Sequence, residues 1–319
     1  MKRKNMPISV SELKGVYTAL ITPMTPNGIR QDIDYSKLEM LVDDQIRAGV
    51  TGLVPAGTTG QSATLGKVEQ VALIKRVFDY VNGRVPIIAG AGSNCTHEAI
   101  ELSQRIESVV GPTTFLHVTG YYNNPPQEGL YGHFREVADS VKGNIILYNV
   151  PSRTKSDLEA KTVIELAKHP KIIGIKEASG DLKKVKEIID NTDPVKFRVV
   201  SGEDDVVADI IGLGGYGVIC ASANVAPKLF VRLVRAGLNG NHQESADLQS
   251  YVLPLVKKAV FAVKNPIPLA YLFDSDVRLP LVRLEKIADG KHCGQVEGVV
   301  RGYPAEELGI DLRKYNPKF

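Results

Sequence analysis

Lys171-Ile172-Ile173-Gly174-Ile175-Lys176-Glu177-Ala178-Ser179-Gly180 reads as a short strand of branched aliphatic residues, buried on both faces, that ends in small and polar residues. Just before it, Asp157 to His169 is amphipathic at helical spacing and is stopped by Pro170. The same alternation recurs outward in both directions. Apolar runs lie at Val16 to Thr22, Gly52 to Ala56, Pro86 to Gly90, Thr114 to Val118, Asn144 to Val150, Phe197 to Ser201 and Gly217 to Ala221. Their spacing averages about 29 residues, near the roughly 31 per unit of an eightfold (β/α) barrel of about 250 residues. Between them, Val68, Val71, Ile74, Phe78 and Val81 are expected to line one helix face. The fold class is therefore α/β: a (β/α)8 TIM barrel over residues 15–226, after an N-terminal segment 1–14. A C-terminal helical appendage and polar tail fill 227–319, with Pro254, Pro266 and Pro268 punctuating the helical part and a docked turn expected at Leu308 to Leu312. Periodicity fixes alternation but not closure, so a doubly wound open sheet stands as the alternative.

The formal net charge of +3 is small for 319 residues and no long basic or acidic block occurs, which argues against nucleic acid or an anionic membrane as partner. The start carries Lys2, Arg3 and Lys4 but no apolar stretch of a leader, and no later run approaches a bilayer span; a cytoplasmic address is expected. Cys95, Cys220 and Cys293 lie far apart, which points to reduced thiols rather than a disulfide framework or thiolate zinc site.

In a barrel the strand ends converge on one face, and that is where chemistry sits. Lys176 lies at such an end. It is either a side chain snorkelling to water or a desolvated amine, since burial disfavours the ammonium form and leaves a nucleophile. Tyr148 shares the side of Ile146 on the preceding run and is either a proton shuttle or a core tyrosine. Gly57-Thr58-Thr59-Gly60 follows a strand and precedes a helix, so freed amides and two hydroxyls can hold a carboxylate or phosphate; a simple tight turn is the alternative. Arg153, in a Pro-Ser-Arg-Thr loop, can clamp a carboxylate bidentately or be an ordinary surface arginine. The six histidines show no metal-binding spacing, so no metal centre is expected. Glu203, Asp204 and Asp205 could bind a cation but read more readily as a solvated loop or helix start. Gly212-Leu213-Gly214-Gly215 lacks a dinucleotide fingerprint and reads as a helix terminus.

Taken in order, Gly57 to Gly60, Tyr121-Tyr122-Asn123, Gln127 to Tyr131, Tyr148 to Thr154, Gly174 to Ala178 and Asn265-Pro266-Ile267-Pro268 resemble the pyruvate-dependent class I aldolase family, over about residues 15 to 285. The double threonine, the tyrosine pair and Ser152-Arg153-Thr154 look like its dihydrodipicolinate synthase branch rather than its neuraminate lyase branch. The resemblance implies condensation of pyruvate with L-aspartate 4-semialdehyde to 4-hydroxy-tetrahydrodipicolinate. Lys176 would carry the covalent imine with no other cofactor; another pyruvate aldolase is the alternative. It further implies that Thr58 and Thr59 hold the pyruvate carboxylate, that Tyr148 relays protons with Thr58 and Tyr122, and that Arg153 binds the semialdehyde carboxylate. Gly202 and Ile219 would line the pocket. Tyr122 would reach a neighbouring subunit's site in a homotetramer, a dimer of dimers. An effector site for lysine would match Ser62, Ala63, Asn94, Glu98 and Tyr121. Two departures there, Lys67 and Gln70 where histidines are often found, lead to an expectation of weak or absent lysine feedback, because a Lys67 cation repels a cationic effector. Further departures are Gln61 in place of the usual glutamate and Val118-Thr119-Gly120 before Tyr121.

Overall fold

The computed structural model describes residues 6–26 and 31–319; Lys2, Arg3 and Lys4 lie outside the described residues. Eight strands form where the apolar runs placed them: β1 Gly15–Ala19, β2 Gly52–Val54, β3 Ile88–Gly90, β4 Thr114–Val118, β5 Asn144–Asn149, β6 Ile172–Glu177, β7 Arg198–Ser201 and β8 Gly217–Cys220. All pair in parallel in the order β2-β1-β8-β7-β6-β5-β4-β3. The ring closes where β3 meets β2, through a parallel bridge between Leu53 and Ile87 and a hydrogen bond from the Gly90 N–H to the Pro55 carbonyl at 3.0 Å. The open-sheet alternative is thereby excluded, and the (β/α)8 barrel stands.

Strand side chains alternate with period two, so Ile145 and Leu147 pack outward against helices while Ile146, Tyr148 and Val150 point inward. Tyr17, Val54, Ile88, Leu116, Val200 and Ile219 complete much of the inner apolar layer. Ile8 and Leu13, both fully buried, plug the N-terminal end of the barrel. That plug is fastened by the Ile8 N–H to Thr114 Oγ1 at 2.9 Å and by the Tyr17 hydroxyl to the Glu12 carbonyl at 2.7 Å. With the floor sealed, only the C-terminal strand ends are left to open into a cavity.

β6 departs from strict alternation. Its pairing with β5 steps from Ile145–Ile172 to Ile146–Gly174, so one extra residue, Ile173, is inserted on β6. Ile172 and Ile175 face out, whereas Ile173 faces in. Counted by twos from Ile172, Lys176 would have pointed into the helical layer; the inserted residue turns it inward. Gly174 is required at this step, because a Cβ there would lie 2.4 Å from the Arg198 carbonyl oxygen and 2.5 Å from Leu13 Cδ2.

The helix Lys67–Val81 forms as expected, but Val68 is 76% exposed and does not belong to its buried face. At about 100° per residue Val68 stands roughly 120° around from Ile74, so the buried stripe is Gln70, Leu73, Ile74, Val77, Phe78 and Val81 instead. After β8 come the helices Pro227–Leu238 and His242–Leu255, a π-helical turn Val256–Val260, and a short helix Ile267–Leu272. The tail contains more regular structure than its polarity announced: Lys291–Arg301 is a helix that buries Val296 and Val300, and the turn at Leu308, Ile310 and Leu312 docks as expected. Beyond it, the buried Tyr315 hydroxyl donates to Asp44 Oδ2 at 2.9 Å, its ring meets Phe273 edge-on, and Asn316 Nδ2 donates to the Tyr271 carbonyl at 2.9 Å. The tail thus ties the short helix Ile267–Leu272 to the first barrel helix, Tyr35–Ala48.

Candidate active site

A cavity of about 770 Å³, counting the space open at its mouth, lies at the C-terminal strand ends. Lys176, 7% exposed, enters it from β6. Its register neighbour on β5 is Tyr148, and the Lys176 Nζ stands 4.2 Å from the centre of the Tyr148 ring. The contact is with the ring face, which fixes the amine by a cation–π approach and leaves the phenol oxygen free for other partners. Gly202, at the end of β7, makes room for the lysine: a Cβ there would lie 2.7 Å from Ala178 Cβ and 3.0 Å from Lys176 Cγ.

The double-threonine loop is bent over the same cavity by two residues in the left-handed region, Ala56 at φ +56° and Gln61 at φ +57°. Such backbone costs on the order of 1 kcal/mol or more per residue and is characteristic of sites held under constraint. Thr58 and Thr59 both line the cavity, and Thr59 is only 4% exposed. Gln61, the departure noted above, is buried and its Oε1 accepts from the Arg278 N–H at 3.2 Å. Arg153, on the turn Pro151–Thr154, lines the mouth, where its Nη2 donates to the Asn265 carbonyl at 3.3 Å.

Other expected site residues lie elsewhere. Ile219 is fully buried in the inner apolar layer and does not line the cavity. Tyr122 is 95% exposed, in the left-handed region at φ +73°, and stays away from its own chain's cavity. Of the effector set, Asn94 and Tyr121 meet, with Asn94 Nδ2 donating to the Tyr121 carbonyl at 3.1 Å. Ser62 lines the main cavity, Ala63 is exposed, and Glu98 accepts from Ser93 Oγ at 3.1 Å while facing the Lys67 ammonium at 3.8 Å.

The acidic cluster after β7 is not a solvated loop. Asp204 is buried and takes the Ser222 N–H on Oδ2 at 2.7 Å, and Glu203 lines the cavity. Burial, then the charges of Asp204 and Asp205, push the Glu203 carboxyl up to about 7, against the opposing pull of Lys176 and Arg153. Burial likewise raises Asp204. The expectation failed because three consecutive acids suggest solvent by composition alone, while their place at a barrel strand end suggests the cavity. Two further residues carried no assigned role. Glu177, buried behind Lys176, accepts from Asn149 Nδ2 at 3.1 Å and from the Ser179 N–H at 2.7 Å, which locks the tops of β5 and β6 together. Asn265 lines the cavity and donates through Nδ2 to Thr59 Oγ1 at 3.0 Å.

A closed barrel that presents a buried strand lysine, two hydroxyls and an arginine to one cavity has the architecture of a lysine-dependent barrel aldolase. Residues 12–287 match the dihydrodipicolinate synthetase family, and the chain belongs to that family. It is 47% identical over 259 residues to a 4-hydroxy-tetrahydrodipicolinate synthase of Methanopyrus kandleri, covering 81% of this chain and 85% of the relative. Among solved structures, it resembles the chloride-inhibited dihydrodipicolinate synthase of Acinetobacter baumannii complexed with pyruvate, with 35% identity, a TM-score of 0.85, and 94% and 100% of the two chains covered. It also resembles a monomeric dihydrodipicolinate synthase variant, with 33% identity, a TM-score of 0.85, and 95% and 99% covered.

The raised Glu203 has a consequence for stability. A carboxyl whose folded pKa lies near 7 rather than at 4.5 contributes stability that is fully present below about pH 4.5 and is lost as pH rises through about 7. Glu203→Gln should therefore melt a few degrees higher than the parent at pH 8 and show little gain at pH 4.5, as read by scanning calorimetry at both pH values. An equal shift at the two pH values would contradict the assignment.

Proposed function

We propose that the chain condenses pyruvate with L-aspartate 4-semialdehyde to give 4-hydroxy-tetrahydrodipicolinate, the entry to diaminopimelate and lysine. One observation carries the reading: Lys176 stands in a cavity with a hydroxyl pair at one side and a guanidinium at the mouth, so two carboxylates can be held around one amine. The pyruvate bound to the Acinetobacter baumannii relative supports the first substrate. Arg153 favours a second substrate that bears a carboxylate over the polyol chain of a sugar-acid aldolase.

Thr58 and Thr59 hold the pyruvate carboxylate and set its carbonyl against the lysine, which makes the addition effectively intramolecular. The Lys176 amine adds to the C2 carbonyl, and loss of water gives the imine. Removal of a methyl proton then gives an enamine, whose carbon attacks the aldehyde while the new alkoxide takes up a proton. Attack of the substrate's own amino group on the imine carbon closes the ring and returns Lys176 as the free amine. Tyr148, whose ring touches the lysine, is the proton carrier nearest these steps, with Thr58 and a neighbouring copy's tyrosine at position 122 completing the relay. The exposure of Tyr122 supports that sharing, and with it a homotetramer built from dimers. No helix among the described residues is long and apolar enough to cross a membrane, which is compatible with a cytoplasmic address. The Lys67 ammonium, 3.8 Å from Glu98, supports the reading that a cationic effector is disfavoured there.

Three outcomes follow. Borohydride trapping with pyruvate should label Lys176 by peptide mapping and vanish in Lys176→Ala, whereas Arg153→Ala should keep the adduct and raise KM for the semialdehyde about 10- to 100-fold. Label on another lysine would sink the mechanism. Mixing Tyr122→Phe with Lys176→Ala after subunit exchange should restore activity that neither variant has alone; no recovery would place Tyr122 in its own chain's site. Micromolar lysine should leave the steady-state rate unchanged, and inhibition in that range would overturn the reading of Lys67.

A further inference from the structure

Asn265 is 5% exposed and stands where the chain, after the π-helical turn Val256–Val260, crosses the cavity mouth ahead of the helix Ile267–Leu272. Its Nδ2 donates to Thr59 Oγ1 at 3.0 Å, while its Oδ1 is buried with no hydrogen-bond partner. Its backbone carbonyl accepts from Arg153 Nη2 at 3.3 Å. One residue therefore touches both of the groups assigned to substrate carboxylates, Thr59 through its side chain and Arg153 through its backbone.

The chemistry of a hydroxyl gives this contact a direction. Thr59 Oγ1 has one hydrogen and two acceptor positions, and the Asn265 amide occupies an acceptor position. The hydroxyl hydrogen is then turned away from Asn265, and no protein acceptor takes it among the described residues. Without the amide, the hydroxyl would be free to rotate and to donate to the protein instead of to a ligand. The buried, unpartnered Oδ1 carries a desolvation cost that a purely structural asparagine would avoid, and such orphaned groups are a mark of functional constraint.

We propose that Asn265 is a positioning residue: its side-chain amide aims the Thr59 hydroxyl at the first substrate's carboxylate, and its backbone carbonyl holds Arg153 for the second. The inference rests on the reading of Thr59 as a pyruvate-carboxylate donor. Because the Arg153 contact is made by the backbone, a side-chain substitution separates the two roles. Asn265→Ala should raise KM for pyruvate about 10-fold, with the semialdehyde KM and kcat changed less than about twofold.

The test is a double-mutant cycle of Asn265→Ala with Thr59→Val in the full-length enzyme, read as KM for each substrate and as the pyruvate dependence of borohydride trapping. If Asn265 acts through Thr59, adding Asn265→Ala to Thr59→Val produces no further rise in the pyruvate KM. Additive effects, or an equal rise in both KM values, would overturn the proposal. An unchanged pyruvate KM in Thr59→Val alone would instead remove the reading of Thr59 on which it rests. Asn265→Leu fills nearly the same space without a donor and replaces Asn265→Ala in the cycle if the alanine variant does not fold. Failure of both to fold would assign Asn265 to structure alone and overturn the proposal.

Discussion

The molecule depends on keeping a primary amine at the end of a closed barrel whose inner layer below it is largely apolar. β6 supplies the lysine, but simple alternation along β6 would have delivered it to the outer face. The single residue inserted at Ile173 corrects the direction, and glycines at 174 and 202 clear the space that the correction needs. Because a shift of one residue exchanges the two faces of a strand, the register between β5 and β6 is a functional quantity as well as a structural one. The Asn149–Glu177 hydrogen bonds, immediately beyond Tyr148 and Lys176 on the same two strands, hold that register at the end where it matters.

Charge within the cavity is balanced by position. Two basic side chains, Lys176 and Arg153, share it with Glu203 and Asp204, and the acids are of different kinds. Asp204 has a donor of its own in the Ser222 backbone, whereas Glu203 has no side-chain hydrogen bond among the described residues and responds mainly to burial and to its acidic neighbours. Near neutral pH the site can therefore change its net charge at Glu203, so that two anionic substrates need not meet a fixed negative wall. The Thr58–Thr59 loop, held between two left-handed residues, contributes donors without adding charge.

Most of the barrel was legible because its determinants are local and repeated. Eight apolar runs at regular spacing, each followed by small or polar residues, placed every strand. Closure was not legible, since it rests on the Leu53–Ile87 bridge and a few backbone hydrogen bonds beside it rather than on any pattern. Lys176, Tyr148, the threonine pair and Arg153 were found by residue type at strand ends, and the structure brings them to one cavity. Ile219 was expected at the pocket from the resemblance alone, and it belongs to the inner apolar layer rather than to the cavity lining. The acids at 203 and 204 were misread because composition spoke for solvent and only topology spoke for burial. Val68 was misread because apolar character outweighed angular position in the first turn of its helix. Asn265 gave no chemical signal, since its role comes from a long-range hydrogen bond to a residue 206 positions earlier.

The tail is pinned to the first barrel helix by Tyr315 and to the short helix after Asn265 by Asn316. During synthesis the lysine, the phenol and the hydroxyls are all laid down well before residues 315 and 316 emerge. The chain that supplies Lys176, Tyr148, Thr58 and Thr59 therefore precedes the residues that fasten the segment at the cavity mouth. The rim of the cavity is thus anchored by residues that do not line it, through a clasp on the outside of the barrel.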